Sequence, residues 1–225
     1  MTSRDESYPQ LLSLAVHEFR TPASVVGGYL RMLQRDSDMP LSERQRRMID
    51  EAERSCQRLV ALIAELSEIQ KLDTDLIQLA QQGFDAFAVM AEAAQTVHEA
   101  EDRNVRLVVR GESAGASMQG DVTRLRAAFA TIFHASMREM PADTTMVAER
   151  RLGKRDGQES AIVIVADESN VQASYDAEPV PFDEKRGGLG LALPIARRIV
   201  ERHGGRIWSP AVSRATVIIS LPVRR

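Results

Sequence analysis

Residues 11–33, LLSLAVHEFRTPASVVGGYLRML, decide the fold. Their apolar residues Leu12, Val16, Phe19, Ala23, Val26, Leu30 and Leu33 are spaced alternately four and three apart. That is a heptad seam along one helix. A proline-containing break follows from Asp36 to Pro40. Ser42, with Gln45 three residues on, is a capping-box signature that opens a second helix. The second seam runs Met48, Ala52, Ser55, Leu59, Leu62, Leu66 and Ile69, again four-three throughout. Both stripes are narrow and the remaining faces are charged, so a lone hairpin leaves each seam half covered. Two hairpins side by side make a four-helix bundle, and a homodimer is therefore expected.

From about Phe84 the pattern changes. Helical text runs from Phe87 to Glu101 and a strand-like run covers Val105 to Val109. Gly111 to Gly120 reads as a loop and Asp121 to Met140 as a helix. Strands are expected at Thr145 to Arg151 and Ala161 to Ala166, and a loop from Asn170 to Gly188. A helix from about Leu189 to His203 stops at Gly204 and Gly205. Final strands fall near Arg206 to Trp208 and Thr216 to Leu221. This is an α+β sandwich distinct from the hairpin.

Composition narrows the function classes. The 225 residues are 44% hydrophobic and 27% charged, an ordinary globular balance that can bury two modest cores. A net charge of −3 provides no bulk pull toward nucleic acid or an anionic membrane. The single cysteine, Cys56, excludes an intramolecular disulfide and reads as a small buried apolar residue. No apolar run reaches membrane-spanning length, and MTSRDESYPQ has no signal-peptide character, so a cytoplasmic protein without membrane insertion is expected.

His17 is the candidate for chemistry, against the alternative of a simply solvated surface histidine. It follows seam residue Val16, and one residue turns a helix by about 100°, so its ring lies beside the seam and faces outward. Glu18 can accept a hydrogen bond from Nδ1, leaving the Nε2 lone pair free to attack phosphorus. Pro22, one turn on, has no N–H for the carbonyl of Glu18 and can bend the helix there. His98 carries no chemistry that can be argued. His203, ending a helix, is expected as a partly cationic ring favoured by the helix dipole.

His17-Glu18-Phe19-Arg20-Thr21-Pro22 resembles the phosphoacceptor box of sensor histidine kinases, H-E-[FL]-R-T-P, at every position. Ala52-Glu53-Arg54 with Leu59, Ile63 and Leu66 looks like the second helix of that family's dimerisation and phosphotransfer domain. The resemblance covers nearly the whole chain. It implies a hairpin domain over 1–78 and a catalytic or ATP-binding-like α/β sandwich over 79–225. It also implies phosphoryl transfer through His17 to an aspartate of a response regulator receiver domain, assisted by Glu18. Thr21 would help position water when such proteins dephosphorylate a partner. In the second domain, Asp121-Val122-Thr123-Arg124-Leu125-Arg126 looks like the start of the family's nucleotide-domain helix. Asp167 stands where the family reads the adenine amino group. Pro181-Phe182 resembles the box before the ATP lid. Gly187-Gly188-Leu189-Gly190-Leu191-Ala192-Leu193 is similar to the second glycine box, so Gly188 and Gly190 are expected at a phosphate, with backbone N–H groups at a helix start. ATP with Mg²⁺ is the implied cofactor.

The chain also departs from the family pattern. Where the family carries two asparagines and a lysine, ungapped alignment places Thr131, Ala135 and Arg138. Ala135 falls where the Mg²⁺ ligand belongs and cannot coordinate a metal, and His134 nearby is a poor oxygen-ligand replacement. Arg138 remains a candidate for cofactor contact, but no residue is assigned to a metal. The first glycine box reads Asp167-Glu168-Ser169-Asn170-Val171, without either glycine. Only Asp183 to Arg186 separate Phe182 from Gly187, and the final box reads Ala215-Thr216. Three readings stay open: an ATP-dependent autokinase, a phosphotransfer protein or pseudokinase that does not use ATP, and a docking module that sequesters a response regulator.

Overall fold

A computed structural model describes residues 7–98, 103–155, 157–211, 213 and 215–224. The chain divides into two compact units, with the division between Ile77 and Gln78.

Unit 1 is two long helices, α1 (Ser7–Arg35) and α2 (Glu43–Asp73). Asp36 ends the first: its Oδ1 accepts from the backbone N–H groups of Asp38 at 3.0 Å and Met39 at 3.2 Å. The expected capping box is present at the start of the second. Ser42 Oγ accepts from the Gln45 N–H at 3.3 Å, and Gln45 Oε1 accepts from the Ser42 N–H at 3.0 Å. Together they satisfy two donors that a helix start leaves without partners. At the far end, Lys71 sits in the last turn, where a cation suits the dipole.

The faces that meet match the predicted seams in part: on α2 Ile69 is buried and Leu62 and Leu66 are half-buried as expected, but the first half of that seam is not covered. Cys56 Sγ lies 3.1 Å from the Ala23 carbonyl oxygen, and Gln34 Nε2 donates to Asp50 Oδ1 and Glu53 Oε2 at 2.9 Å each. On α2 the contacting face therefore includes Asp50, Glu53 and Cys56, while Met48 (61% exposed) and Leu59 (56%) face solvent. On α1 the predicted seam splits. Val16 is buried and Leu12, Ala23 and Leu30 are half-buried, but Phe19, Val26 and Leu33, seven residues apart, are exposed. The reason is geometric: a partner helix covers only part of a stripe that carries both seam positions.

Unit 2 contains β1 (Gln82–Asp85), α3 (Ala86–Gln95), β2 (Arg106–Gly111), β3 (Ser117–Gly120), α4 (Val122–Glu139), β4 (Thr145–Arg155) and β5 (Gln158–Asp167). There follow α5 (Val171–Asp176), β6 (Pro179–Pro181), α6 (Ala192–Arg202), β7 (Arg206–Pro210) and β8 (Val217–Pro222). Six strands form one mixed sheet in the order β2-β4-β5-β8-β7-β6, with β2 and β4 parallel and the other neighbours antiparallel. The strands β1 and β3 pair separately. The central strands are buried on both faces, as a sheet covered on both sides requires. Phe87, Met90, Leu125, Phe129, Phe133 and Leu193 from α3, α4 and α6 are fully buried, and Phe129 stacks on Phe133 at 6.2 Å. Val171 and Tyr175 of α5 pack with Ile162, Ile164, Trp208 and Ile218.

Three sequence expectations need correction. The loop expected over Gly111–Gly120 contains β3, whose pairing with β1 places Met118 opposite Phe84. The loop expected over Asn170–Gly188 contains α5 and β6. The helix expected from Leu189 starts at Ala192. Glycine, serine and proline obscured the first two, because their low local propensity is overridden by tertiary pairing. Part of the helix expected to reach Glu101 lies outside the described residues; α3 ends at Gln95. Among the described residues, no helix is long and apolar enough to cross a membrane.

Candidate functional site

His17 lies midway along α1, whose helical run continues unbroken through Pro22. Its side chain is 79% exposed. Nδ1 approaches Glu18 Oε1 at 3.5 Å, a long contact between two solvent-facing groups. Nε2 is the nitrogen left for chemistry if Nδ1 carries the proton. Thr21, four residues on, is exposed along the same part of the helix. The exposed Leu14 and Phe19 lie within one turn of the histidine. The hairpin therefore presents an accessible imidazole, a carboxylate and a hydroxyl on a rigid element edged with apolar surface.

The candidates in unit 2 are differently placed. Asp167 ends β5, and its Oδ1 accepts from the backbone N–H of Ser169 at 2.9 Å and from the Ser169 hydroxyl. It caps a short helical turn of its own chain. Arg138 Nη1 donates to the Gly187 carbonyl oxygen at 3.0 Å. Gly188 and Gly190 both adopt positive φ, 60° and 65°, where a side chain is disfavoured. They precede α6 by four and two residues, so the helix does not open directly on the glycine pair as expected. Ala135 is fully buried.

Reasoning from the sequence missed Glu139, Arg186 and the role of Gly187. Glu139 Oε1 accepts from the Gly187 N–H at 2.9 Å. Arg186 is 2% exposed and donates to the Thr216 carbonyl oxygen at 3.0 Å, the Asp183 carbonyl oxygen at 3.1 Å and the Ser209 hydroxyl. Its guanidinium also lies 4.9 Å from the Phe182 ring centroid. The shortness of the 183–186 segment was the available signal, since so few residues between fixed ends must lie close to the body of the fold.

Two further histidines sharpen the electrostatics. Partial burial first, then the Arg138 guanidinium and His98, push the His134 pKa below its ordinary value. His203 is buried; its Nε2 accepts from the Asp121 N–H at 2.9 Å and its Nδ1 lies 2.6 Å from the Ile199 carbonyl oxygen. Only the neutral ring makes both bonds, which corrects the cationic expectation. The ring packs so closely that a Cβ on Gly120 would lie 2.3 Å from it. Among the described residues, no three His, Cys, Asp or Glu side chains converge as a metal-binding group.

Residues 10–75 match the His Kinase A (phospho-acceptor) domain. The alginate biosynthesis sensor protein KinB of Pseudomonas aeruginosa is 25% identical over 208 residues, 86% of this chain and 33% of that protein. The sensor protein IrlS of Burkholderia pseudomallei is 27% identical over 221 residues, 89% of this chain and 44% of that protein. The chain thus spans less than half the length of these curated relatives. Among solved structures, full-length ShkA in complex with AMPPNP aligns with a TM-score of 0.66 at 20% identity, covering 96% of this chain and 46% of that one. The Acinetobacter baumannii histidine kinase AdeS aligns with a TM-score of 0.57 at 18% identity, covering 93% of this chain and 98% of that one. Both show the shared fold.

Proposed function

We propose, from the match of residues 10–75 to the phospho-acceptor domain and the similarity to sensor proteins along most of the chain, that this is a protein of the sensor histidine kinase family and that His17 carries a phosphoryl group exchanged with an aspartate of a response regulator receiver domain. The observation that supports this is a 79% exposed imidazole with a carboxylate beside Nδ1. In the step from regulator to histidine, Nε2 attacks phosphorus of the aspartyl phosphate. The P–N bond forms as the P–O bond to the carboxylate breaks, and the carboxylate leaves with the electron pair. Nδ1 keeps its proton, and Glu18 accepts that hydrogen bond and offsets the charge gained by the ring. The return step reverses each change. Thr21 positions water when the aspartyl phosphate is hydrolysed instead.

Residues 1–78 act as the dimerisation and phosphotransfer unit, and residues 79–225 as the ATPase-like unit. The exposed stripe of Phe19, Val26, Leu33, Met48 and Leu59 supports a second copy of the hairpin as the dimer partner. We place the protein in the cytoplasm. ATP with Mg²⁺ is the donor the family implies, but the residues here do not fit it. Ala135 supplies no ligand, Asp167 caps Ser169, and Arg138 bonds Gly187. Transfer between phosphoproteins is therefore favoured over autokinase activity.

The test incubates the protein with a ³²P-labelled, phosphorylated receiver domain. Label is expected on the wild type and absent from His17→Gln; equal labelling of both refutes the role of His17. Label on neither leaves a docking module. Glu18→Ala is expected to slow transfer by roughly a hundredfold.

A further inference from the structure

We infer that the segment 183–188 is a strap that holds the side of unit 2 where a nucleotide would enter closed, so that this unit refuses ATP. This rests on the proposed function and deepens it, because it explains why the phosphoryl group on His17 must come from another phosphoprotein.

Three anchors carry the inference. The first is Arg186, whose guanidinium is buried and reaches β7 at the Ser209 hydroxyl and the residue preceding β8 at the Thr216 carbonyl. A buried guanidinium with this many partners is expensive to expose without replacing them. The second is Gly187. Its φ is 67°, and a Cβ built on it would lie 2.7 Å from Ala135 Cα, closer than a side chain can sit. The backbone of the strap therefore rests directly on the α4 backbone, over the residue that aligns with the family's metal ligand. The third is the pair Arg138 and Glu139 on the last turn of α4. Arg138 donates to the Gly187 carbonyl and Glu139 accepts from the Gly187 N–H, so both backbone polar groups of Gly187, on its two flanking peptide units, are bound to α4.

The sequence changes and the geometry interlock. A small, apolar Ala135 is what allows Gly187 to lie on α4; a side chain reaching outward for a metal would occupy that space. With four residues between Phe182 and Gly187, the strap has little length to fold away. Two polar groups that could read a nucleotide here already bond their own chain, Asp167 through Oδ1 and Arg138 through Nη1.

Limited trypsin digestion of the full chain tests this at the peptide bonds after Lys185 and Arg186, with Trp208 fluorescence reporting that unit 2 remains folded. In the wild type these bonds resist cleavage, and adding AMPPNP with Mg²⁺ changes neither the cleavage rate nor the melting temperature. In the double variant Arg138→Ala/Glu139→Ala, loss of two hydrogen bonds raises cleavage there roughly tenfold to a hundredfold. Cleavage of the wild type as fast as the double variant overturns the inference. So does a rise in melting temperature with AMPPNP and Mg²⁺. If the double variant loses its native Trp208 signal, hydrogen exchange at the wild-type Gly187 amide decides: slow exchange supports the strap and fast exchange overturns it. Labelling of His17 from a phosphorylated receiver domain is measured on the same preparation. A labelled His17 with an open strap removes only the strap, whereas an unlabelled His17 with a closed strap removes only the proposed function.

Discussion

The hairpin and the sandwich bury their apolar residues in opposite ways. In unit 2, Phe87, Phe129, Phe133, Ile162, Ile164 and Ile219 are essentially inaccessible, and the sheet is covered on both faces. In unit 1, Phe19, Val25, Val26, Tyr29, Met32 and Leu33 of α1 remain 47–66% exposed, beside Met48 and Leu59 of α2. A unit that completes its own core can evolve without a partner. A unit that leaves a heptad stripe in water is only part of a core. The proposed chemistry follows the same division: the exposed imidazole of His17 lies on the unit with uncovered apolar surface, whereas in the other unit Arg138 and Asp167 bond their own chain.

The largest expected effect breaks that comparison at the stripe. Val26→Glu with Leu59→Glu is expected to convert the proposed dimer to a monomer in light scattering and to lower helical circular dichroism. Each of these side chains contributes about 1.5–3 kcal/mol when fully buried. Trp208 fluorescence should not change, and a dimer that survives both charges would end the bundle assignment. Next, Phe129→Ala removes a fully buried ring and should destabilise unit 2 by about 3–5 kcal/mol in urea unfolding followed at Trp208. Dimerisation should persist; if it is lost, the two units are not energetically separate.

A smaller effect concerns pH. Burial acts to raise the Glu149 pKa, but hydrogen bonds from Arg110 and Arg151, with their charges, outweigh it and hold the carboxyl below its reference value of 4.5. The folded state therefore binds its proton less readily than the unfolded chain. The resulting stability is present above 4.5 and is lost as pH falls through the lowered folded value. Acid titration of Glu149→Gln should show a shallower loss of unit 2 stability below pH 4.5 than the wild type. Curves that coincide would remove the role of this carboxylate. The smallest effect is at the hairpin turn: Ser42→Ala should lower hairpin stability by about 1 kcal/mol through loss of the cap. No change in melting would mean that the capping box is redundant in the assembled hairpin.

Much of the fold was legible in advance because it rests on local chemistry. The break after Arg35, the Ser42–Gln45 box and the stop at His203-Gly204-Gly205 all involve residues close in sequence, and each appears where expected. The exposure of His17 followed from one helical step beyond Val16. What was not legible depended on distant partners. The strand β3 is too short and too rich in small residues to be recognised without Phe84 opposite Met118. In the first half of α2 the contacting face lies beside the seam, because Gln34 bonds Asp50 and Glu53, and Cys56 meets the Ala23 carbonyl. The neutral state of His203 came from Asp121, 82 positions away in sequence.

By itself the sequence determined that this protein has a capped helical hairpin with an outward histidine beside a glutamate, followed by an α+β sandwich. Periodicity and capping act over a few residues, so the order of residues is sufficient to specify them. Only the tertiary structure decided that Arg138 and Glu139 hold the backbone carbonyl and N–H of Gly187, and that Ala135 lies buried beneath it. Those contacts join residues about 50 positions apart, and whether a polar group is available to a ligand or already bonded depends on which surfaces the folded chain brings together.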